Sequence, residues 1–305
     1  MKDLRHLLTN PLPTDMPHFD IAHYIKHSPK VEDYDLRRKF EEWRETGVVI
    51  FENAVPEGLV DQFLADVEYL CAHRKDFGLE MEYQGGRYPI RDLPVDPFSS
   101  TGIKFNCVER LSLAARRLSM NSFVCDFLGH VFLDAPAMLQ SLTFWRGSQQ
   151  PAHLDYPYVS VQTRIPHLAA SWTALEDVHA DAGPLAYFPG SHKIGLIPPY
   201  DWGGGSVILT PESTRDVLEF TAYLAEQREK LALRREVFLP RRGDVLIWHG
   251  NLLHEGLPVR DFSRTRRSYV THFTSRGSYP PGHGSVDVFE RPVMQERLRL
   301  PSWKE

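Results

Sequence analysis

The sequence predicts a single mainly β domain with flanking helices, built as a double-stranded β-helix, or jelly roll. Three observations lead there. From Met138 onward, short apolar runs alternate with Gly, Pro and Asp turns, the pattern of a sandwich or barrel. The residues before it carry helical spacing instead. Finally, His153 and Asp155 stand two apart, and His254 follows the strand-like run Val245–Trp248 about a hundred residues later. Residues two apart leave a strand on the same face, and inward side chains of facing strands converge inside a jelly roll.

Taken in order, residues 1–30 are rich in Pro and His with little periodicity and read as an extended arm. Residues 31–135 read as helical support and loops. Within them, Asp33 to Glu45 carries Leu36, Phe40 and Trp43 on one stripe, and Gly47–Phe51 is a short buried strand. Pro56 and Glu57 open a helix to about Cys71 with Leu59, Phe63 and Val67 as its apolar face. Residues 78–106 are turn-rich and read as loops, and Leu111 to Leu128 as one or two helices. Residues 136–275 form the jelly-roll core, interrupted by an insert over about 194–235 that is helical from about Ser213 to Arg235. Such an insert between metal-binding strands is a solvated excursion or a lid. Residues 276–305 are a tail, and the whole chain reads as one domain.

Composition narrows the function classes. The chain has 305 residues and a formal charge of −5, which gives no basic face for nucleic acid. No apolar run approaches a membrane span and no signal-peptide pattern opens the sequence, so no membrane partner is expected. Cys71, Cys107 and Cys125 are scattered without CxxC spacing, which reads as reduced thiols in a cytoplasmic setting. A metal here is not held by sulfur. The oligomeric state stays open.

The chemistry rests on imidazole and carboxylate. Two His and one carboxylate on one side of an ion, with the other positions open, make the facial triad of non-haem Fe(II) oxygenases. His153 and Asp155 offer the first two ligands. The second imidazole is His254 or His249, which lies five residues earlier.

The surrounding text is ordered. Gln149-Gln150-Pro151-Ala152 precede His153; Ala170 to Asp177 contains Trp172; Gly183 to Lys193 reads GPLAYFPGSHK; Gly243 to His254 reads GDVLIWHGNLLH; Arg266 lies twelve residues on. This set resembles the phytanoyl-CoA dioxygenase family of Fe(II)/2-oxoglutarate-dependent oxygenases over roughly residues 40 to 275. The resemblance implies a cupin-like jelly roll, with His153, Asp155 and His254 as catalytic metal ligands. It selects His254 over His249 because the family places its His before a Gly, here Glu255-Gly256. It also implies 2-oxoglutarate and O2 as cosubstrates and a small-molecule substrate.

The far carboxylate of 2-oxoglutarate needs a cation, and Arg supplies a planar, always-charged fork. Arg264, Arg266 and Arg267 are available. Arg266, Ser268 and Val270 share one strand face, Arg267 and Tyr269 the other, and the family's ending at Thr271-His272-Phe273 selects Arg266. Trp172 falls where the family has a Trp near the cosubstrate, and Lys104 resembles a family Lys that reaches it. The family often carries a Ser two residues after the distal His, where this chain has Gly256. With Asp155 present, hydroxylation or a related C–H oxidation of a small metabolite is expected rather than halogenation. Phe144, Trp145, Tyr156 and Tyr158 suggest a partly aromatic pocket, or barrel core. Arg87, Arg91, Arg116 and Arg117 are candidates for a coenzyme A patch, the last two more in keeping with a solvated helix face. Two rival readings are a non-catalytic jelly-roll binder with a structural metal and a cupin-type enzyme that does not use 2-oxoglutarate.

Overall fold

The computed structural model describes residues 11–159, 164–280, 288–289 and 299–303. Expectations for residues 1–10 and for most of the tail lie outside the described residues.

The first half supplies the helical support. α1 (Ile21–His27) starts where the Asp20 side chain accepts from the backbone N–H of His23. The expected extended arm thus contains a helix: the arm lacks a heptad stripe, yet a short capped helix of seven residues packed on α2 is enough. α2 (Leu36–Thr46) is capped by Asp35 and ends at Gly47, whose φ of +77° is left-handed. Gly47 is required twice over, because an added Cβ would sit 2.5 Å from His192 Nδ1. After β1 (Val48–Phe51), α3 (Glu57–Ala72) buries Val60, Phe63, Leu64, Val67 and Leu70. α4 (Leu113–Ser119) and α5 (Ser122–Phe132) follow, capped by Ser112 and Asn121.

The expectation of loops over 78–106 is corrected. β2 (Glu80–Tyr83) and β3 (Gly86–Pro89) form a hairpin, and β4 (Lys104–Asn106) joins it to the main sheet. Gln84 and Gly85 both have positive φ, which makes the tight two-residue turn whose twist suits a hairpin. The many Gly and Pro residues mark these short strands' ends rather than an absence of strands.

The remaining strands are β5 (Pro136–Phe144), β6 (Leu168–Ala174), β7 (Leu185–Tyr187), β8 (Glu236–Val237), β9 (Val245–His249), β10 (His254–Gly256) and β11 (Ser268–Ser275). The insert carries α6 (Val217–Lys230), which buries only Phe220, Leu224 and Gln227. An eight-stranded antiparallel sheet runs β1-β9-β6-β11-β5-β4-β2-β3, and a smaller one runs β10-β7-β8. The two sheets are those of a jelly roll.

Register sorts the side chains. Val270 lies opposite both Leu142 and Trp172, Trp172 opposite Leu246, and Ala170 opposite Trp248. These residues share the inner face, where they pack with Leu185, Tyr187 and Phe238 from the smaller sheet's side. The other face, with Phe105, Ile247, Tyr269 and Phe273, packs against α2, α3 and α5 in the largest core. A third cluster, with Tyr156, Trp202 and Phe220, ties the insert to the segment that carries the HxD. Helices therefore brace the outside of the sheet and leave its inner face to a cavity.

Candidate metal centre

His153 and His254 meet through their backbones. Each donates its N–H to the other's carbonyl, at 2.9 and 3.1 Å, in an isolated antiparallel bridge. Asp155 N–H donates to Gly250 O at 3.2 Å, so the HxD segment hangs on the turn between β9 and β10. One ligand atom from each of His153, Asp155 and His254 lies within 4.8 Å of the other two.

The ring tautomers follow from the hydrogen bonds. Pro151 O lies 2.8 Å from His153 Nδ1, and Leu252 O lies 3.0 Å from His254 Nδ1. A carbonyl can only accept, so Nδ1 carries the proton and Nε2 presents its lone pair. Both Nε2 atoms face Asp155 Oδ1, at 3.8 and 3.7 Å. The other carboxylate oxygen, Oδ2, accepts from Trp248 Nε1 at 2.7 Å and lies 3.5 Å from His272 Nε2. Oδ1 alone is left for the shared point.

Electrostatics agree with that division. Burial and neighbouring His254 push His153 down to about 3, so it stays neutral and able to ligate. Burial alone would raise the Asp155 carboxyl, but His254 and His272 outweigh it and hold the group well below the usual carboxylate range. Asp155 is a carboxylate at neutral pH.

The triad opens into a cavity whose lining includes Phe144, Trp172, Trp248 and Arg266. Arg266 is buried, with its guanidinium 5.4 Å from the Phe144 ring and 5.5 Å from the Trp172 ring. It donates to Ser268 Oγ at 3.0 Å, while its Nε has no partner. Burial lowers it to about 10, opposed by the charge of Glu176, and it remains a cation at neutral pH. Among the described residues it forms no ion pair. Arg267 points the other way, 2.7 Å from Glu176 Oε2 and over Trp145, and Arg264 pairs with Asp261 at 3.0 Å on the surface.

Other expected site residues separate. Lys104 does not line this cavity; it sits in an adjoining cleft with Nζ 3.5 Å from Glu82 Oε2. His249 lies outside the centre, 3.0 Å from Asp15 and against Trp43. Phe144 lines the cavity, whereas Trp145 packs on Phe98 in the outer core and Tyr156 and Tyr158 lean toward Trp202 and Phe220. Arg116 is not on a solvated face: it is buried, donating to Glu109 O at 2.7 Å. Arg87 pairs with Glu80 and Glu82, and Arg91 with Asp92.

Sequence reasoning missed Trp248, His272 and Ser148. Trp248 and His272 were visible only as the ends of apolar runs. Ser148 is placed by Gly256: a Cβ on Gly256 would collide with Ser148 Oγ and come within 3.1 Å of the N atoms of Gln149 and Gln150. The hydroxyl that residue 256 lacks is brought to the same spot from another segment.

Comparison with known proteins places the chain in a family and a fold. The family model described as phytanoyl-CoA dioxygenase matches residues 43–267. A phytanoyl-CoA dioxygenase domain-containing protein 1 homolog from Caenorhabditis elegans is 21% identical over 172 residues, 52% of this chain and 54% of the relative. The corresponding protein from Danio rerio is 24% identical over 141 residues, 45% of this chain and 44% of the relative. The chain thus spans about half the length of the curated relatives it matches. Among solved structures, the non-haem α-ketoglutarate-dependent epimerase SnoN from nogalamycin biosynthesis superposes with a TM-score of 0.56 at 18% identity, covering 87% of this chain and 97% of that one. EctD from S. alaskensis, solved with 2-oxoglutarate and 5-hydroxyectoine, gives 0.55 at 15% identity, covering 83% and 81%. These two likenesses establish the fold. With the family model spanning most of the sequence, the chain belongs to the phytanoyl-CoA dioxygenase family.

Proposed function

We propose that this protein is an Fe(II)/2-oxoglutarate-dependent dioxygenase that hydroxylates, or otherwise oxidises, a C–H bond of a small organic metabolite. One observation carries the reading: a His-Asp-His set and a buried arginine without a carboxylate partner face the same cavity.

The donor set fits the ion. Two imidazoles that turn Nε2 to a shared point and one carboxylate suit Fe(II), and their arrangement leaves the cavity side open. Arg266 fits the cosubstrate, because a desolvated guanidinium with an unused Nε lacks the anion it is built to bind. His153, Asp155 and His254 would hold the iron, and Arg266 with Ser268 the far carboxylate of 2-oxoglutarate. Bound iron supplies the oxygen chemistry that couples decarboxylation of 2-oxoglutarate to succinate with oxidation of the substrate.

The chain's own residues set the conditions for that chemistry. The carbonyls of Pro151 and Leu252 fix the imidazole tautomers, and Trp248 keeps Asp155 from presenting both oxygens. Trp172, Phe144 and Val270 wall Arg266 off from water, which strengthens its hold on a carboxylate. A non-catalytic binder would need neither an open three-ligand face nor a buried carboxylate receptor.

The test is anaerobic addition of Fe(II) and 2-oxoglutarate. A weak visible charge-transfer band should appear, vanish in His153→Ala, and be followed in air by succinate release. Absence of both the band and succinate would sink the reading.

A further inference from the structure

The cavity at the triad shares Ser148 and Gln150 with a second, outer cleft. This outer cleft is built rather than incidental. Arg146 donates to three carbonyls, those of Phe98, Phe262 and Arg264, at 2.6, 2.7 and 2.8 Å, which pins the two walls together. Gln149, at a φ of +52°, donates to Thr101 Oγ1 at 3.2 Å and accepts from Val259 N–H at 3.0 Å. The walls carry Ser99, Ser100, Thr101, Gln84 and Gln150. At the mouth stands Phe262, which is 62% exposed and contributes to no core cluster.

The charges along this path cancel. In the inner cavity, Asp155 belongs to the metal and Arg266 to the cosubstrate. Glu255 is taken by Arg235 at 3.0 Å. In the outer cleft Lys104 is matched by Glu82, which stands behind the lining, and among the described residues no carboxylate lines the cleft itself. Arg87 is shared between Glu80 and Glu82, and Arg116 is buried in the helical core. A coenzyme A ester or a phosphorylated substrate would need unmatched cations, and a zwitterion would need an unmatched anion as well. Beside the Lys104–Glu82 pair, the described lining of the outer cleft is mainly hydroxyls and amides, with Tyr83 and the exposed Phe262 as its aromatic faces.

We propose that the outer cleft binds the uncharged, hydroxyl-rich part of the substrate, a glycoside-like or polyol-bearing molecule, whose reacting carbon extends past Ser148 to the triad. Ser and Gln side chains exchange donors and acceptors with hydroxyls, and Phe262 covers the C–H face of a saturated ring. The assignment of the inner end as the reacting end rests on the function proposed above; binding in the outer cleft does not.

The test is saturation-transfer NMR on the full chain loaded with Zn(II) and 2-oxoglutarate. Methyl β-glucopyranoside and cellobiose serve as neutral probes, and glucose 6-phosphate, glycine betaine and hexanoyl-CoA as charged ones. The neutral probes should receive saturation, the phosphate should not strengthen binding, and Phe262→Ala should weaken the neutral probes about fivefold. Stronger transfer to any charged probe, no transfer to either neutral probe, or neutral binding unchanged in Phe262→Ala would each overturn the proposal. The charge-transfer band reads the cosubstrate assignment separately, so loss of the band with glycoside binding intact refutes the oxygenase and leaves the cleft standing.

Discussion

Trp248 donates its indole N–H to Oδ2 of Asp155 at 2.7 Å, from the strand that ends five residues before the second histidine of the triad. The bond decides which carboxylate oxygen faces His153 and His254. Outer partners of this kind typically contribute about 10–100-fold to metal affinity. Trp248→Phe keeps the ring and removes the donor, so Fe(II) affinity should fall by about that factor. Titration calorimetry with Fe(II) under nitrogen reads it directly, and unchanged affinity would show that packing alone orients Asp155.

Arg266→Ala should leave Fe(II) binding nearly intact and raise the KM for 2-oxoglutarate. Losing one partner of a desolvated charge pair costs about 2–5 kcal/mol, or about thirty- to several-thousand-fold. Arg266→Lys should recover only part, since an ammonium lacks the fork. Arg264→Ala should change little, because its partner is Asp261 on the surface. If Arg266→Ala has no effect on KM, the cosubstrate does not lie against Phe144 and Trp172.

Gly256→Ser should be destabilising. Its Cβ would meet Ser148 Oγ and the backbone of Gln149. Overpacking of this sort costs about 1–3 kcal/mol. The pair Ser148→Gly with Gly256→Ser should recover part of the loss, and a melting-temperature cycle over the four proteins measures the coupling. Strict additivity would mean that the two sites do not share the space.

Burial, reinforced by His249, pushes His192 down to about 3. Its folded value therefore lies below that of the unfolded chain, about 6.5. The unfolded state takes up the proton first, so stability is full above pH 6.5 and declines as pH falls toward 3. At pH 5 this residue alone costs about 2 kcal/mol. His167, pushed down to about 4 mainly by burial, acts in the same direction. His192→Asn should flatten the acid limb of the melting temperature against pH, and an unaltered limb would show that the acid sensitivity arises elsewhere.

The sequence was most legible where a backbone period does the work. Arg266 separates from Arg267 because side chains alternate along the extended segment leading into β11: one is buried beside Trp172, the other paired with Glu176. His153 and Asp155 were expected to share a strand face, but they converge from an irregular segment pinned by backbone bonds to His254 and Gly250. His249 was a rival only in one dimension, since in the fold it already has Asp15 as a partner. What stayed hidden was contact between strands remote in sequence. Neither Trp248 nor His272 carries a local signal that it will meet Asp155, because β9, β11 and the HxD segment are joined only through the register of the sheet. Short strands were also hidden: β2, β3 and β4 are too brief for a periodicity, and only the turn at Gln84-Gly85 betrays them. Arg116 misled because a charged residue in a helix reads as solvated, while its own guanidinium is occupied by Glu109 O and Phe289 O.

The reciprocal backbone bonds between His153 and His254 have a further consequence. Two of the three ligands are spaced by main chain, whose geometry does not depend on any ion. Metal-free protein should keep the two imidazoles at nearly the same separation, so little of the binding free energy is spent on assembling the site. Such a socket does not discriminate strongly by shape. Among divalent ions, affinities would follow the inherent order in which Fe(II) ranks below Co(II), Ni(II) and Cu(II). Occupancy in a cell would then be settled by supply: the iron form would prevail where free copper and nickel are kept scarce, and a preparation from a metal-rich medium would carry the wrong ion in a correctly folded protein.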